Sequence, residues 1–206
     1  MSLSVISVPS ATNQQPAGLI VVLHGFGGNA QQLASLAPFL NLPEYQFLVP
    51  DAPFTNPYVA GGRMWYEFGK PGGSQSADLV KSQQMLTEWL KSLESSTGVP
   101  LSRTILCGFS QGGAMTLDVG LNLPLAGLVV LSGYLHPLSP KPDATYPPVL
   151  ILHGRQDSVV PLSAAQKARD ALTALGISVQ YQEFDMGHEV QPAALEVMRK
   201  FVKANI

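Results

Sequence analysis

Five short apolar runs recur along the chain: Leu19 to Leu23, Gln46 to Val49, Arg103 to Gly108, Gly127 to Leu131 and Val149 to Leu152. Most have no polar face. A strand open to water on one side alternates apolar with polar residues, so runs of this kind are expected where helices cover both sides of a parallel sheet. Longer stretches with helical spacing lie between them. In Asp78 to Leu93, Leu79, Leu86, Leu90 and Leu93 recur on one broad face, with Met85 and Trp89 alongside. Gln111 to Leu121 follows the third run directly. Ala164, Ala168, Ala171, Leu172 and Leu175 form another face, closed by Gly176, and Leu195, Met198, Phe201 and Val202 form the last. Ser178 to Phe184 alternates more and reads as an outer strand, and Val5 to Val8 can add an edge. This order predicts an α/β fold with a mostly parallel, doubly wound sheet. At 206 residues, the chain 1–206 is expected to be a single domain.

Composition removes several function classes. The chain is 46% hydrophobic and 13% charged, with a net charge of −2 and the signs well mixed. No basic patch or stripe suggests nucleic acid, and no stretch approaches the length of a membrane span. The single cysteine, Cys107, allows no intrachain disulfide; in a buried strand it reads as a small hydrophobe. Met1 to Pro9 lacks a basic region followed by a sustained apolar one, so a cytoplasmic protein is expected. The four histidines, His24, His136, His153 and His188, are scattered without i, i+4 spacing, so neither a metal site nor a cofactor is expected.

One segment breaks the alternation. Pro50 to Ser76 holds Pro50, Pro53, Pro57 and Pro71, five glycines, and Phe54, Tyr58, Trp65, Tyr66 and Phe68. Loops this long are usually functional or disordered, and the aromatic content argues for order. Segment 50–76 is read as an ordered loop over the ligand-bearing end of the sheet.

The strongest local signal is Gly108-Phe109-Ser110-Gln111-Gly112, a G-x-S-x-G pattern between a strand and a helix. That setting is what a serine nucleophile needs: a tight strand-to-helix turn lifts the hydroxyl clear of the backbone, and small flanking residues leave room for the turn. Gly113 extends the small patch, and the helix N-terminus favours nearby negative charge.

A serine nucleophile needs a general base. In a sheet of this type the order along the chain is serine, acid, histidine, which removes His24. His153 ends a strand. His188 follows the last strand in Asp185-Met186-Gly187-His188, where a loop would hold it above the sheet, and it is taken as the base. Asp157, after the strand Val149 to Leu152, fits best as the acid that orients the imidazole. Asp185 is the second candidate, although its closeness to His188 in sequence makes an aligned contact awkward, and Asp143, in a Pro-rich loop, is the third. Backbone donors for an oxyanion are expected from Gln111, the residue after the nucleophile, and from Phe26 in His24-Gly25-Phe26-Gly27-Gly28. A phosphate-binding G-x-G-x-x-G reading of that loop fails because Ala30 stands where the last glycine should be.

Taken in order, Leu23-His24-Gly25-Phe26-Gly27, Gly108-Phe109-Ser110-Gln111-Gly112-Gly113, His153-Gly154-Arg155-Gln156-Asp157, Val160-Pro161 and Gly187-His188 resemble the small carboxylesterase, lysophospholipase and acyl-protein thioesterase family. The resemblance runs from about residue 19 to the C-terminus. It implies an α/β-hydrolase fold without a cap domain, a triad of Ser110, Asp157 and His188, and oxyanion donors at Phe26 and Gln111. Trp65 resembles the tryptophan of the family's pocket-side loop. Substrate contacts are expected from Trp65 and Tyr66, and from His24 and Gly25 at the start of the first Gly-rich loop. Gly28 stands where eukaryotic thioesterase members usually have Asp, and Met64-Trp65-Tyr66-Glu67 replaces their usual Ser-Trp-Phe-Asp. The expected activity is therefore hydrolysis of carboxylic esters of short to medium acyl chains through an acyl-enzyme. A thioesterase or lysophospholipase for long acyl chains is the alternative, and a non-catalytic scaffold the remote one. The expected partner is a small ester or lipid-like substrate. The apolar composition also suggests an exposed hydrophobic mouth that could serve lipid, substrate or a homodimer contact.

Overall fold

A seven-stranded sheet organises the computed structural model, which describes residues 3–12, 14–68, 77–138 and 145–206. Asp143, Pro71 and the end of the 50–76 loop lie outside these residues. In chain order the elements are β1 (Val5–Val8), β2 (Leu19–Leu23), α1 (Ala30–Ala34), β3 (Gln46–Pro50), the hairpin β4 (Phe54–Thr55) and β5 (Arg63–Met64), α2 (Ala77–Thr97), β6 (Thr104–Phe109), α3 (Gln111–Gly120), β7 (Gly127–Leu131), β8 (Val149–Gly154), α4 (Leu162–Ala174), β9 (Val179–Phe184) and α5 (Pro192–Asn205).

The sheet order is β1-β3-β2-β6-β7-β8-β9, parallel except for β1, which runs antiparallel along β3. From β2 the chain steps outward to β3, then returns to place β6 on the other side of β2, with Leu23 level with Gly108. The order reverses there, and in an open α/β sheet the crevice outside the strand ends at such a point is where ligands bind.

Successive strand residues serve opposite faces. Leu19, Val21, Leu106, Leu128, Val130 and Ile151 pack with Leu86 and Leu90 of α2, Met115 and Leu117 of α3 and Ala168 and Leu172 of α4. Ile20, Phe47, Ile105, Cys107, Val129 and Leu152 pack with Ala37 and Leu40 of a 3-10 turn (Ala37–Leu40) and with Met198, Phe201 and Val202 of α5. Both faces are covered, so the central strands need no polar side. Leu86, Leu90 and Leu106 are fully buried, and each contributes about 1.5–3 kcal/mol of hydrophobic stabilisation. The edge strand β9 is only half-buried, which explains its alternating sequence. Gly176 ends α4 at φ +75°, its N–H donating to the Thr173 carbonyl (2.9 Å).

Two short features had no expectation attached. The α1 turn starts where the Asn29 side chain accepts from Gln32 N–H (2.9 Å), and the β4–β5 hairpin lies inside the 50–76 loop. Among the described residues no helix is long and apolar enough to cross a membrane.

Candidate active site

Ser110 occupies the turn between β6 and α3 with φ 54° and ψ −117°, a left-handed backbone that a non-glycine residue adopts only when its surroundings impose it. The surroundings do so. The Ser110 N–H donates to the Leu131 carbonyl (2.9 Å), and its own carbonyl accepts from Gly113 and Ala114 (2.9 and 3.2 Å). A Cβ at Gly108 would lie 2.1 Å from the Gly112 carbonyl oxygen, and one at Gly112 would lie 2.4 Å from that of Leu23. Both flanking glycines are thus demanded by backbone approach.

The His24–Gly28 loop passes directly over this turn. A Cβ on Gly25 would meet Ser110 Cβ at 3.2 Å. The loop is fixed from outside by β5, with Gly27 N–H donating to the Arg63 carbonyl (2.9 Å) and Arg63 N–H to the Gly28 carbonyl (2.8 Å). Neither Phe26 N–H nor Gln111 N–H has an acceptor among the described residues.

Asp157 and His188 meet through a zipper between two strand ends. Arg155 N–H donates to Phe184 O (2.8 Å) and Gln156 N–H to Met186 O (3.1 Å). Gly154 permits this approach, since a Cβ there would sit 2.3 Å from Met186 O. His188 Nδ1 then donates to Asp157 Oδ2 (2.7 Å), while Oδ1 accepts from Val159 and Val160 N–H (2.9 and 2.8 Å). Burial alone would raise the Asp157 carboxyl, but the hydrogen bonds from His188, Val160 and Val159 together outweigh it and hold it below the usual carboxylate range. Asp185 points elsewhere: it is mostly exposed and pairs with Arg155 (2.7 Å). His153 is buried and donates from Nε2 to the Val160 carbonyl (2.9 Å).

Ser110 and His188 line one cavity of about 670 Å³, together with Gly25, Phe26, Phe109, Tyr134, Val159 and Val160. Trp65, Tyr66 and His24 are not on its wall. They are buried and form the layer behind it. Trp65 Nε1–H donates to the His24 carbonyl (2.9 Å), and the Gln111 amide spans the aromatic pair, accepting from Trp65 N–H (2.9 Å) and donating to the Tyr66 carbonyl (2.8 Å). Ala52 N–H donates to His24 Nε2 (3.0 Å), which places the ring proton on Nδ1, where the Gly25 carbonyl accepts it (2.8 Å). Burial lowers the His24 pKa, so the ring is neutral.

A polar cluster behind Tyr134 carried no expectation. Asp118, on α3, accepts from His136 Nδ1 (2.8 Å), and the Tyr66 hydroxyl bonds both His136 Nε2 (3.3 Å) and the Tyr134 hydroxyl. Burial pushes Tyr134 up to about 12. No spacing links residues 66, 118, 134 and 136, so sequence carried no signal for the cluster. Among the described residues, no group of three or more His, Cys, Asp or Glu is placed to hold a metal ion.

The reversal point of the sheet and the serine turn built on it define the class, an α/β-hydrolase. Known proteins narrow it. The esterase PE8 crystal structure superposes with a TM-score of 0.88, at 29% identity over all of both chains. An acyl-protein thioesterase 1 from Neurospora crassa is 30% identical over 89% of this chain and 84% of its own length. A probable carboxylesterase from Oryza sativa is 30% identical over 90% of this chain and 87% of its own. Residues 5–206 match the phospholipase/carboxylesterase family, and the chain belongs to it.

Proposed function

We propose that this protein hydrolyses carboxylic esters by transferring the acyl group to Ser110 and then to water. His188 Nε2 takes the Ser110 proton as Oγ attacks the carbonyl carbon. The oxyanion of the tetrahedral intermediate is held by Phe26 and Gln111 N–H. As the intermediate collapses, the C–O bond to the alcohol breaks, and His188 returns the proton to the departing alcohol oxygen. Water, deprotonated by the same imidazole, then attacks the acyl-enzyme and releases the acid and free Ser110. Asp157 keeps His188 in the tautomer that presents a basic Nε2 and stabilises the imidazolium.

The observation that carries this reading is the 2.7 Å His188–Asp157 contact on the same cavity as a serine in a left-handed turn. Two backbone N–H groups, those of Phe26 and Gln111, with no acceptor among the described residues complete the set. The family match across residues 5–206 supports reading the chain as one catalytic domain. The test is hydrolysis of p-nitrophenyl butyrate by the wild type, Ser110→Ala and His188→Ala. Loss of either side chain should cost on the order of 10⁴-fold or more in kcat; unchanged turnover in Ser110→Ala would remove the assignment.

Relatives named acyl-protein thioesterase favour thioesters as a second substrate class, which the same acyl-enzyme chemistry serves. An acyl-length series on oxygen esters and thioesters separates the two: thioester turnover that rises to long chains supports this reading, and activity confined to short oxygen esters removes it.

A further inference from the structure

His153 takes no part in the acyl transfer described above, yet its imidazole lies directly behind the triad acid. It is the penultimate residue of β8 and is buried. Its Nε2 stands 3.5 Å from Asp157 Oδ2, the oxygen that accepts from His188, and neither the His153 nor the Asp157 side chain reaches solvent. The Nε2 proton is committed to the Val160 carbonyl (2.9 Å). The other ring nitrogen, Nδ1, is buried with no partner among the described residues. A buried polar atom left in that state costs stability, and an apolar side chain of similar size would avoid the cost. What the imidazole supplies in return is its bond to Val160.

Val160 links that bond to the acid. Its carbonyl accepts from His153, and its N–H donates to Asp157 Oδ1 (2.8 Å), so the two side chains hold the residue from both ends. Val159 N–H donates to the same Oδ1 (2.9 Å). With Oδ1 pinned by this backbone, Oδ2 is turned toward His188 Nδ1 (2.7 Å). A shift of Val160 moves Oδ1, and with it the angle at which Oδ2 meets the His188 ring.

We propose that His153 is a positioning residue of the triad: through the Val160 carbonyl it fixes the turn that aims the Asp157 carboxylate at His188. The proposal rests on the reading of Ser110, Asp157 and His188 given above. A histidine present only to fill the core would leave that contact unchanged when replaced by a side chain of similar bulk.

Kinetics on p-nitrophenyl butyrate and proton NMR test it. His153→Leu keeps bulk and removes the donor; its kcat should fall by up to about 100-fold with KM little changed. His153→Gln carries an amide N–H that can reach the same carbonyl and should keep most of the activity. His153→Asn carries the same amide on a shorter stem and should lose it, so the two amides give the comparison even where the leucine variant fails to fold. In Asp157→Ala there is no carboxylate to aim, so adding His153→Leu or His153→Asn should cost little further. The His188 Nδ1 proton, identified by its loss in His188→Ala, should move upfield in His153→Leu and His153→Asn and hold its place in His153→Gln. Equal activity in the glutamine and asparagine variants, a full loss repeated in the Asp157→Ala background, or an unmoved Nδ1 proton overturns the positioning role and leaves the Ser110 reading standing. Absence of any ester turnover in the wild type overturns both.

Discussion

Gln111 should matter far more through its side chain than a residue contributing only a backbone N–H would. The side chain is fully buried, and its amide satisfies two buried backbone groups, the Trp65 N–H and the Tyr66 carbonyl. Gln111→Ala orphans both. An unsatisfied buried group costs about 1–3 kcal/mol, so the pair costs about 4 kcal/mol. For a chain of this size that lowers Tm by about 8–16 °C. Gln111→Met keeps most of the volume and removes both bonds, so it should lose nearly as much as Gln111→Ala. Trp65 also holds the His24 carbonyl at the head of the Gly25–Gly28 loop, so loosening it displaces the Phe26 donor. Kcat should then fall up to about 100-fold with KM little changed. Thermal unfolding by circular dichroism and steady-state kinetics on one ester read both effects. A Tm drop below about 2 °C in Gln111→Met would refute the hydrogen-bond reasoning, and the effect of Gln111→Ala would then be a matter of volume.

Two further outcomes follow from charge. Burial holds His24 below its ordinary value, whereas the unfolded chain takes up that proton near pH 6.5. The unfolded state thus binds more protons below that pH, and stability should fall as the pH drops from about 6.5 through the lowered folded value. Melting temperatures between pH 7.5 and 5 should show this slope, and His24→Gln should flatten it; an equal slope in both proteins would exclude His24 as its source. Asp157 is held below the usual carboxylate range, so its contribution is present above about pH 4 and is lost as the pH falls through the lowered folded value. Asp157→Asn should lower kcat by about 10⁴-fold, and its stability deficit, read by denaturant titration, should shrink below pH 4; a constant deficit would count against the ionised carboxylate as its cause.

Much of the framework was legible because its signals are local. The runs Leu19 to Leu23 and Gly127 to Leu131 became strands with those bounds, since a sheet covered on both faces makes each central strand one continuous apolar run with clear ends. The face of α4 was read correctly at Ala168 and Leu172, but at its start Ala165 rather than Ala164 lies in the core, because adjacent small residues mark helix more clearly than they mark which of the two faces inward. The β4–β5 hairpin was illegible: two-residue strands in Pro- and Gly-rich sequence have no periodicity, and theirs is set by contacts with the Gly27–Gly28 backbone. Trp65 and Tyr66 were expected against substrate, but their aromatic bulk is spent supporting the wall through Gln111 and His24. The Asp118–His136 pair was hidden for the opposite reason, since it joins a helix to a loop and only tertiary packing brings them together.

The most direct measurement is mass spectrometry of the intact protein after treatment with a fluorophosphonate. One adduct should form, map to Ser110, and disappear in Ser110→Ala, while His188→Ala should react far more slowly. Full labelling of Ser110→Ala, or an adduct on any other residue, would contradict the assignment of Ser110 as the nucleophile.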